Sequence, residues 1–250
     1  MQMMPEAKQA ASGAAQPMLE VDGLCAFYGR AQILFDVGLR VGRGEVVALM
    51  GRNGAGKTTT IRSVMGLMDR MRGRVVLDGA DIAGLDPYRI SRLGIGWVPE
   101  DRRIFTDLTV LENLEVGRRP PRADAPTWTV EKLFELFPNL REMPDRPGGR
   151  MSGGEQQMLT VARTLMGNPR LVLLDEPSEG VAPLIVEQMA RMIVELKNQG
   201  LSVLLSEQNV PFAAAVCDRA YVLEKGQVRF EGTMGRLMAD EDIRRQYLTI

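Results

Sequence analysis

Short apolar runs separated by glycines fill the first hundred positions of the chain. They predict strands at 18–25, 33–41, 45–50, 74–77 and 94–98. Residues 57–68 differ, because Ile61, Val64, Met65 and Met68 recur at helical spacing. A strand, a glycine-rich loop and a helix are therefore expected, in that order, in the segment that starts at the third predicted strand.

Helical patterns replace the strands in the middle of the chain. We predict helices at 110–116, 130–137 and 154–166, joined by proline- and glycine-rich linkers at 120–126 and 144–149. This stretch, at about 106–168, is expected to form a helical subdomain that is inserted into the core.

The last third of the chain alternates between strands and helices. We predict strands at 171–174, 201–205, 220–224 and 227–230, with a polar helix behind them. Between the first two strands, residues 183–199 have a helical pattern, with Pro183 at the start and Gly200 behind the end. Alternation of this kind is typical of parallel βαβ units, so the core sheet should be mostly parallel.

Charge and composition narrow the possible function classes. The 31 basic and 32 acidic side chains nearly cancel, which argues against a field that draws the chain onto nucleic acid. The chain has no histidine, and Cys25 and Cys217 lie far apart, so neither a zinc site nor a disulfide framework is supported. No apolar run approaches the ~20 residues that span a bilayer. We therefore expect a cytosolic protein in which residues 1–17 form a disordered leader.

One loop carries a complete phosphate-binding pattern. Its residues, Gly51-Arg52-Asn53-Gly54-Ala55-Gly56-Lys57-Thr58, match the sequence in which glycines let backbone N–H groups face phosphate oxygens at a helix start. Lys57 would reach the β and γ phosphates, and Thr58 would ligate Mg²⁺. The alternative, a glycine-rich loop with a lysine beside it, is disfavoured by the preceding strand and the following helix. Alone, the loop indicates only a nucleoside triphosphate, which kinases, GTPases and helicases also bind.

Two carboxylates follow the apolar run at 171–174. Asp175 and Glu176 stand where ligands of open parallel sheets bind, at the carboxyl end of a buried strand. Asp175 would hold the hydrated Mg²⁺, and Glu176 would orient and polarise the attacking water. Because many strands end in Asp-Glu, this interpretation depends on the phosphate loop upstream.

A third motif, Met151-Ser152-Gly153-Gly154-Glu155-Gln156-Gln157, lies shortly before that strand. A serine hydroxyl and two glycine N–H groups begin a helix here, and the start of a helix attracts anions. Ser152 and Glu155 also have the spacing of an ordinary capping box, so a purely structural role stays open from these residues alone.

Together, the three motifs resemble the nucleotide-binding subunit of ABC transporters, whose LSGGQ or LSGGE signature lies between the phosphate loop and the second acidic strand. The resemblance covers residues 18 to about 237. It implies an α/β P-loop NTPase cassette over 18–250, with an N-terminal antiparallel β region, a mostly parallel core sheet and the inserted helical subdomain. It also implies ATP and Mg²⁺ as cofactors, and a head-to-tail dimer with an identical or homologous cassette.

The resemblance also assigns residues to the nucleotide. Tyr28 would stack on adenine, although a tyrosine before Gly29 is also compatible with an ordinary strand end. Ser152 to Gly154 would contact the ATP of the partner cassette, and residues 178–182 would cross the dimer interface. The nucleotide-binding candidates are Tyr28, Gly51, Arg52, Asn53, Gly54, Ala55, Gly56, Lys57, Thr58, Thr59, Ser152, Gly153, Gly154 and Glu155.

Three further segments, at 98–105, 175–183 and 206–210, are similar to ABC importers of branched-chain amino acids. This likeness implies a motor on the inner face of the cell membrane. Its partners would be separate transmembrane permease subunits and, indirectly, a periplasmic or extracellular substrate-binding protein. Importers of urea and short amides have similar sequences in these segments, so urea and short amides stay alternative substrates. Residues 101–105 mix charged and apolar side chains, which is typical of a partner surface.

Two positions depart from the general ABC pattern. Glu100 stands where most members have a glutamine, and its carboxylate could face Mg²⁺ or the water but cannot donate as an amide does. Gln208 stands at the position of the usual histidine, and it can donate to a γ-phosphate oxygen but cannot become cationic. We assign catalytic roles to Glu176, as the main base, and to Gln208 and Glu100. The Mg²⁺ contacts are assigned to Thr58, Asp175 and Glu100.

Two other functions fit parts of this pattern. A soluble ABC ATPase that acts on DNA or ribosomes usually carries two cassettes or a long coiled-coil insertion, whereas this sequence shows one cassette and no sustained heptads. The second alternative function is that of a regulatory module that hydrolyses ATP slowly.

Overall fold

The computed structural model describes residues 16–248. The expectation of a leader at 1–17 therefore lies outside the described residues, apart from Gln16 and Pro17. The strands are β1 (Leu19–Tyr28), β2 (Ala31–Val41), β3 (Val46–Met50), β4 (Arg70–Leu77), β5 (Ala80–Asp81), β6 (Ile95–Val98), β7 (Leu171–Asp175), β8 (Ser202–Glu207), β9 (Arg219–Glu224) and β10 (Gln227–Thr233). The α-helices are α1 (Lys57–Val64), α2 (Pro87–Leu93), α3 (Val110–Gly117), α4 (Val130–Leu136), α5 (Pro138–Arg141), α6 (Gly153–Leu165), α7 (Pro183–Asn198), α8 (Val210–Val216), α9 (Met234–Ala239) and α10 (Glu241–Ile243). A 3-10 turn at Gly148–Arg150 and a π-helical turn at Arg244–Leu248 complete the described elements.

The first sheet is antiparallel and has the strand order β2-β1-β4-β5. Leu19, Val21, Leu24 and Ala26 of β1 are buried, while most of the residues between them are partly or fully exposed. Such alternation is expected of a strand with one face on the core. The predicted N-terminal antiparallel region is confirmed.

The second sheet has the order β10-β9-β3-β8-β7-β6, and every pair is parallel except β9 with β10. Its central strands β3, β7 and β8 are buried at every residue, because both faces of the sheet are covered. In β3, Val46, Ala48 and Met50 belong to one hydrophobic cluster, and Val47 and Leu49 to another. The predicted mostly parallel core sheet is therefore confirmed, with a core on each face.

The strand register brings the polar ends of the central strands together. Met50 pairs with Glu207, and Asp175 pairs with Ser206. The residues that follow β3, β7 and β8 therefore lie at one edge of the sheet, as the topology of parallel sheets requires.

Several elements differ from the sequence-based expectation. Helix α1 ends at Val64, before the expected position 68, because Gly66 adopts a φ of 67° and a Cβ there would lie 2.4 Å from the carbonyl oxygen of Leu85. Helices α2, α5 and α8 were not predicted. Each has at most seven residues and a proline in its first turn, and prolines in such short segments indicate a turn or a linker.

The region between β6 and β7 is helical, as expected, and contains α3 to α6. Helix α3 begins with a capping box between Thr109 and Glu112. Asn113, which is fully buried, accepts from the backbone N–H of Phe105 and donates to the carbonyl oxygens of Phe105, Leu108 and Thr109. The start of this region is thus fixed to α3, although the exact limits of a subdomain at 106–168 stay a prediction.

None of the helices described between residues 16 and 248 is long and apolar enough to cross a membrane.

Candidate functional site

The glycine-rich loop joins β3 to α1, as its motif predicts, and its backbone takes conformations that favour glycine. Gly51 and Gly56 have φ values of 153° and 112°. A Cβ on Gly51 would lie 2.5 Å from the carbonyl oxygen of Leu223, and a Cβ on Gly56 would lie 2.7 Å from Cδ2 of Leu34. Side chains at these two positions would therefore displace the loop from the sheet edge.

Lys57 is buried at the start of α1, with its ammonium group turned back toward the loop. Its Nζ donates to the carbonyl oxygens of Gly51 and Arg52 at 2.8 and 3.2 Å. The same atom lies 3.1 Å from Oε1 of Glu176, and the two side chains are only 2% and 6% exposed. A buried charge needs a partner, and each of these residues supplies one to the other.

A hydrogen bond connects Thr58, at the start of α1, with Asp175, at the end of β7. The hydroxyl of Thr58 donates to Oδ1 of Asp175 at 3.1 Å, and the hydroxyl of Ser206 donates to the same oxygen at 2.7 Å. Burial raises the pKa of Asp175, while the two hydrogen bonds act in the opposite direction. Two of the three residues predicted to contact Mg²⁺ are thus brought together in space.

This donor set fits Mg²⁺ better than a metal held by protein alone. In residues 16–248 no group of three or more His, Cys, Asp or Glu side chains is arranged to hold a metal ion. Mg²⁺ commonly uses one or two protein oxygens, with water and substrate phosphates filling the other positions. The hydroxyl of Thr58 and the carboxylate of Asp175 are oxygen donors of that kind.

Glu176 follows β7 in a left-handed conformation, with a φ of 47°, which is uncommon for a residue with a side chain. Its backbone N–H donates to the carbonyl oxygen of Ser206 at 3.0 Å, which fixes the turn to β8. Its Oε2 accepts from Nε2 of Gln208 at 3.1 Å. Two of the three residues that we assigned to catalysis, Glu176 and Gln208, therefore touch each other.

An open cleft of about 460 Å³ lies over the loop. Glu100, on the segment behind β6, is exposed and lines the cleft, and its charge contributes to the raised pKa of Asp175. Gln208 lines an adjoining cavity with Arg52 and Asn53. The residues that line the cleft are Ile33, Asn53, Gly54, Gly56, Lys57, Thr58, Thr59, Glu100, Glu176 and Glu179.

Tyr28 does not line this cleft. Its ring is 45% exposed at the end of β1, and the guanidinium of Arg62 lies 5.8 Å from its centre. Ile33, which the sequence did not single out, supplies an apolar side chain to the cleft. Stacking of Tyr28 on adenine therefore stays a prediction.

The Ser152 motif begins α6 and lies outside the cleft. Ser152 and Glu155 form the capping box that their spacing indicated: the serine N–H donates to Oε2 of Glu155 at 2.7 Å, and the N–H of Glu155 donates to the serine hydroxyl at 3.4 Å. Gly153 and Gly154 allow close packing, since a Cβ on Gly154 would lie 2.7 Å from Cγ1 of Ile185. The structural alternative is therefore present, and it leaves contact with a second cassette untested.

Sequence reasoning missed the role of Glu207, a buried carboxylate at the end of β8. It accepts from the backbone N–H groups of Ser178, Gln208 and Asn209 at 3.1, 3.1 and 3.0 Å. Burial raises its pKa, although these hydrogen bonds oppose that effect. Within the segment 206–210, the sequence indicates a chemical role for Gln208 but not for Glu207.

The segment behind β6 is held by helix α6 in an unusual conformation. Arg102 and Arg103 have φ values of 64° and 51°. The hydroxyl of Thr160 donates to the carbonyl oxygen of Arg102 at 2.8 Å, and Nη2 of Arg163 donates to that of Arg103 at 2.6 Å. Two hydrogen bonds therefore tie the segment that carries Glu100 to the helix that begins at the Ser152 motif.

A family model described as "ABC transporter" matches residues 34–179, which is more than half of the chain. BraG of Pseudomonas aeruginosa, a high-affinity branched-chain amino acid transport ATP-binding protein, is 42% identical over 231 residues, which cover 92% of this chain and 99% of BraG. LptB of Haemophilus influenzae, the ATP-binding protein of a lipopolysaccharide export system, is 39% identical over 233 residues, which cover 92% and 97% of the two chains.

Solved structures show the same relationship. The ADP conformation of MJ1267, an ATP-binding cassette of an ABC transporter, superposes with a TM-score of 0.76 at 28% identity, covering 92% of this chain and 98% of that one. Family model, relatives and fold all indicate the same family. The chain therefore belongs to the ABC transporter family and is an ABC-type ATPase subunit of a transporter.

Proposed function

We propose that this chain is the motor of an ABC importer, which hydrolyses ATP to drive the uptake of branched-chain amino acids through separate membrane subunits. The observation that carries this proposal is the 42% identity to BraG over 99% of that protein. The family assignment is to transporters, which argues against a soluble ATPase that acts on DNA or ribosomes.

A second candidate is export of lipopolysaccharide, because LptB is 39% identical over a similar length. The difference between the two identities is small. The importer is favoured by three segments whose sequences are typical of the branched-chain branch: 98–105, 175–183 and 206–210. Urea and short amides are the remaining candidates for the imported molecule.

In the catalytic step, the phosphate chain of ATP would lie along the loop N–H groups, and Lys57 would face its β and γ phosphates. Mg²⁺, held by Thr58 and Asp175 and faced by Glu100, would neutralise charge on the phosphate oxygens. Glu176 would accept a proton from the water whose oxygen forms the new bond to the γ phosphorus, while the bond to the leaving ADP oxygen breaks. Gln208 would donate to Glu176 or to a γ-phosphate oxygen.

The site would be completed by a second cassette. Ser152 to Glu155 lie at a helix start outside the cleft of their own chain, and a helix start with free N–H groups suits a phosphate. A head-to-tail dimer would bring this surface of one cassette over the ATP of the other, and residues 178–182 would lie at the contact. Binding of ATP would then also hold the two cassettes together.

The permease subunits would dock beside the segment 101–105. A groove of about 300 Å³ there is lined by Trp97, Phe105, Val116 and Arg163, among others. Phe105 and Val116 are 47% and 50% exposed, and the guanidinium of Arg163 lies 5.0 Å from the centre of the Phe105 ring. The buried Nε1 of Trp97 has no hydrogen-bond partner in residues 16–248. An apolar groove with a donor and a cation suits a short protein segment. Docking would place the chain on the inner face of the membrane, with a substrate-binding protein on the other side.

The proposal is tested by isolating the membrane complex that contains this chain and identifying its other subunits. A branched-chain permease pair, with uptake of labelled leucine into ATP-loaded vesicles, is the expected result. The matched control is the same complex carrying Glu176→Gln, in which uptake should be lost. Recovery of lipopolysaccharide export components, or uptake of urea but not leucine, would contradict the substrate assignment.

A further inference from the structure

One amide group, that of Gln208, lies between two carboxylates beside the cleft. Nε2 of Gln208 donates to Oε2 of Glu176 at 3.1 Å and to Oε2 of Glu179 at 3.3 Å. A primary amide carries two hydrogens, so it can make both bonds at once. Gln208 therefore links Glu179 to the residue that we assign as the catalytic base.

The two carboxyl groups also meet directly. The pKa of Glu179 is raised to about 7, first by its hydrogen bond to Glu176 and second by desolvation. Adjacent carboxylates avoid two full charges by sharing a proton. Glu179 holds that proton, because the ammonium of Lys57 lies beside Glu176. Glu179 is exposed, whereas Glu176 is buried.

The backbone around Glu179 is fixed, although its side chain is exposed. Its N–H donates to the carbonyl oxygen of Glu176 at 3.1 Å, and the N–H of the preceding Ser178 donates to the buried carboxylate of Glu207. The side chain lines the same cleft as Lys57 and Glu100. Its position is thus determined by the two strand ends that carry the catalytic groups.

The contacts of Glu176 show why a further residue is needed. Its carboxylate touches Lys57, Gln208 and Glu179. Phosphate oxygens would compete with Glu176 for Lys57, because that ammonium is the group proposed to bind them. Once Lys57 faces phosphate, the contacts that still hold Glu176 are those with Gln208 and Glu179. The chain has no histidine that could take over this task.

We propose that Glu179 is a positioning residue for ATP hydrolysis, which acts with Gln208 to hold the Glu176 carboxylate toward the attacking water. The inference rests on the proposed role of Glu176 as the base. It assigns a role to a side chain that neither the phosphate loop nor the Ser152 motif includes.

Two substitutions of Glu179 separate positioning from bulk structure. Glu179→Ala removes both contacts, and we expect kcat to fall about tenfold, as small errors of alignment produce, with KM for ATP little changed. Glu179→Gln keeps them, since its carbonyl oxygen can accept from Gln208 and its amide can donate to Glu176, as a protonated carboxyl does. We expect this variant to keep kcat within about threefold of the wild type. The control is Glu187→Ala, which removes an exposed carboxylate on α7.

A double-mutant cycle tests whether Glu179 acts through Gln208. The ATPase activity of the full chain, with the membrane subunits that it co-purifies with, is measured for Glu179→Ala, Gln208→Ala and the double variant. Because both residues hold the same carboxylate, the double variant should lose no more than the worse single one. Unchanged or higher kcat in Glu179→Ala, a Glu179→Gln variant as slow as Glu179→Ala, or strict additivity would each overturn the proposal.

Glu176→Gln, measured alongside, separates failure of the proposed function of the site from failure of the proposal for Glu179. If it keeps full ATPase activity, the proposed function of this site fails, and the proposal for Glu179 fails with it. If it is inactive while Glu179→Ala is normal, only the proposal for Glu179 is overturned.

Discussion

Nζ of Lys57 lies 3.1 Å from Oε1 of Glu176, and both side chains are almost fully buried. One residue is the proposed phosphate ligand and the other the proposed base. Phosphate and base thus compete for one ammonium group. Binding of ATP would release Glu176 from Lys57 and free its carboxylate to face the water.

The first prediction concerns this ion pair. Glu176→Gln should slow ATP hydrolysis by roughly 10²- to 10⁴-fold, the contribution typical of a general base. It should also bind ATP more tightly, by roughly tenfold for each ~1.4 kcal/mol of competing attraction that is removed. Equilibrium nucleotide binding and steady-state ATPase assays measure the two effects. Glu187→Gln, in a surface pair with Arg191, is the control. Weaker ATP binding in Glu176→Gln would contradict the competition.

The second prediction concerns Ser206, whose hydroxyl donates to Oδ1 of Asp175 at 2.7 Å. Removing that donor in Ser206→Ala should raise the pKa of Asp175 further and weaken the proposed Mg²⁺ site roughly tenfold, as loss of a group that orients a metal ligand does. The Mg²⁺ dependence of ATPase activity at saturating ATP measures it. Ser202→Ala, at the other end of β8, removes a buried hydroxyl that accepts from the backbone N–H of Gly44 and should leave Mg²⁺ dependence unchanged.

The third prediction concerns the hydrogen bond from Thr160 to the carbonyl oxygen of Arg102. Thr160→Val keeps the shape but loses the donor, which should destabilise the fold by about 1 kcal/mol. We expect stimulation by membrane subunits to fall more than intrinsic ATPase activity, because the loosened segment carries the proposed docking residues 101–105 as well as Glu100. Thr164→Val is the matched control, since its strong hydrogen bond stays within α6. Equal loss of stimulation in both variants would argue against a specific role for Thr160.

The fourth prediction concerns pH. The pKa of Glu179 is raised to about 7 in the folded chain, from an ordinary value of 4.5, so the folded state binds the proton more tightly than the unfolded state does. Its contribution to stability is fully present below pH 4.5 and is lost as the pH rises through about 7. The charged groups that face Glu179 are Glu176, Glu100, Lys57, Arg52 and Glu207.

Glu179→Gln should not lose this contribution, because glutamine does not titrate. The melting temperature of the wild type, relative to that of Glu179→Gln, should therefore fall between pH 5 and pH 8. A constant difference across that range would show that Glu179 does not hold a proton in the folded chain.

The phosphate loop, the acidic strand end and the Ser152 motif were predictable because each needs particular residue types at fixed spacing along one segment. The contacts between segments were not. The Gln208 bridge joins residues that follow two different strands, and it depends on the register that pairs Asp175 with Ser206. No periodicity in the sequence encodes that register.

Two further failures have physical causes. Helix α8 was not predicted because its seven residues, VPFAAAV, are all apolar and therefore show no helical periodicity, although Asn209 at its start accepts from the N–H of Phe212 and is a recognisable cap. Ile33 is not identified from the sequence because an apolar strand residue is normally assigned to the core, and only the approach of β2 to the phosphate loop brings it to the cleft. Local sequence does not report such a long-range approach.

Glu207 gives one carboxylate to backbone groups from two separate loops: Ser178 on the segment behind β7, and Gln208 and Asn209 behind β8. Glu207 is thus hydrogen-bonded both to the loop that would meet a second cassette and to Gln208, which would contact the γ phosphate. Displacement of either loop would disturb the hydrogen bonds that Glu207 makes with the other. Contact of a partner with the loop behind β7 would therefore reach the Glu176 carboxylate through two side chains, Glu207 and Gln208.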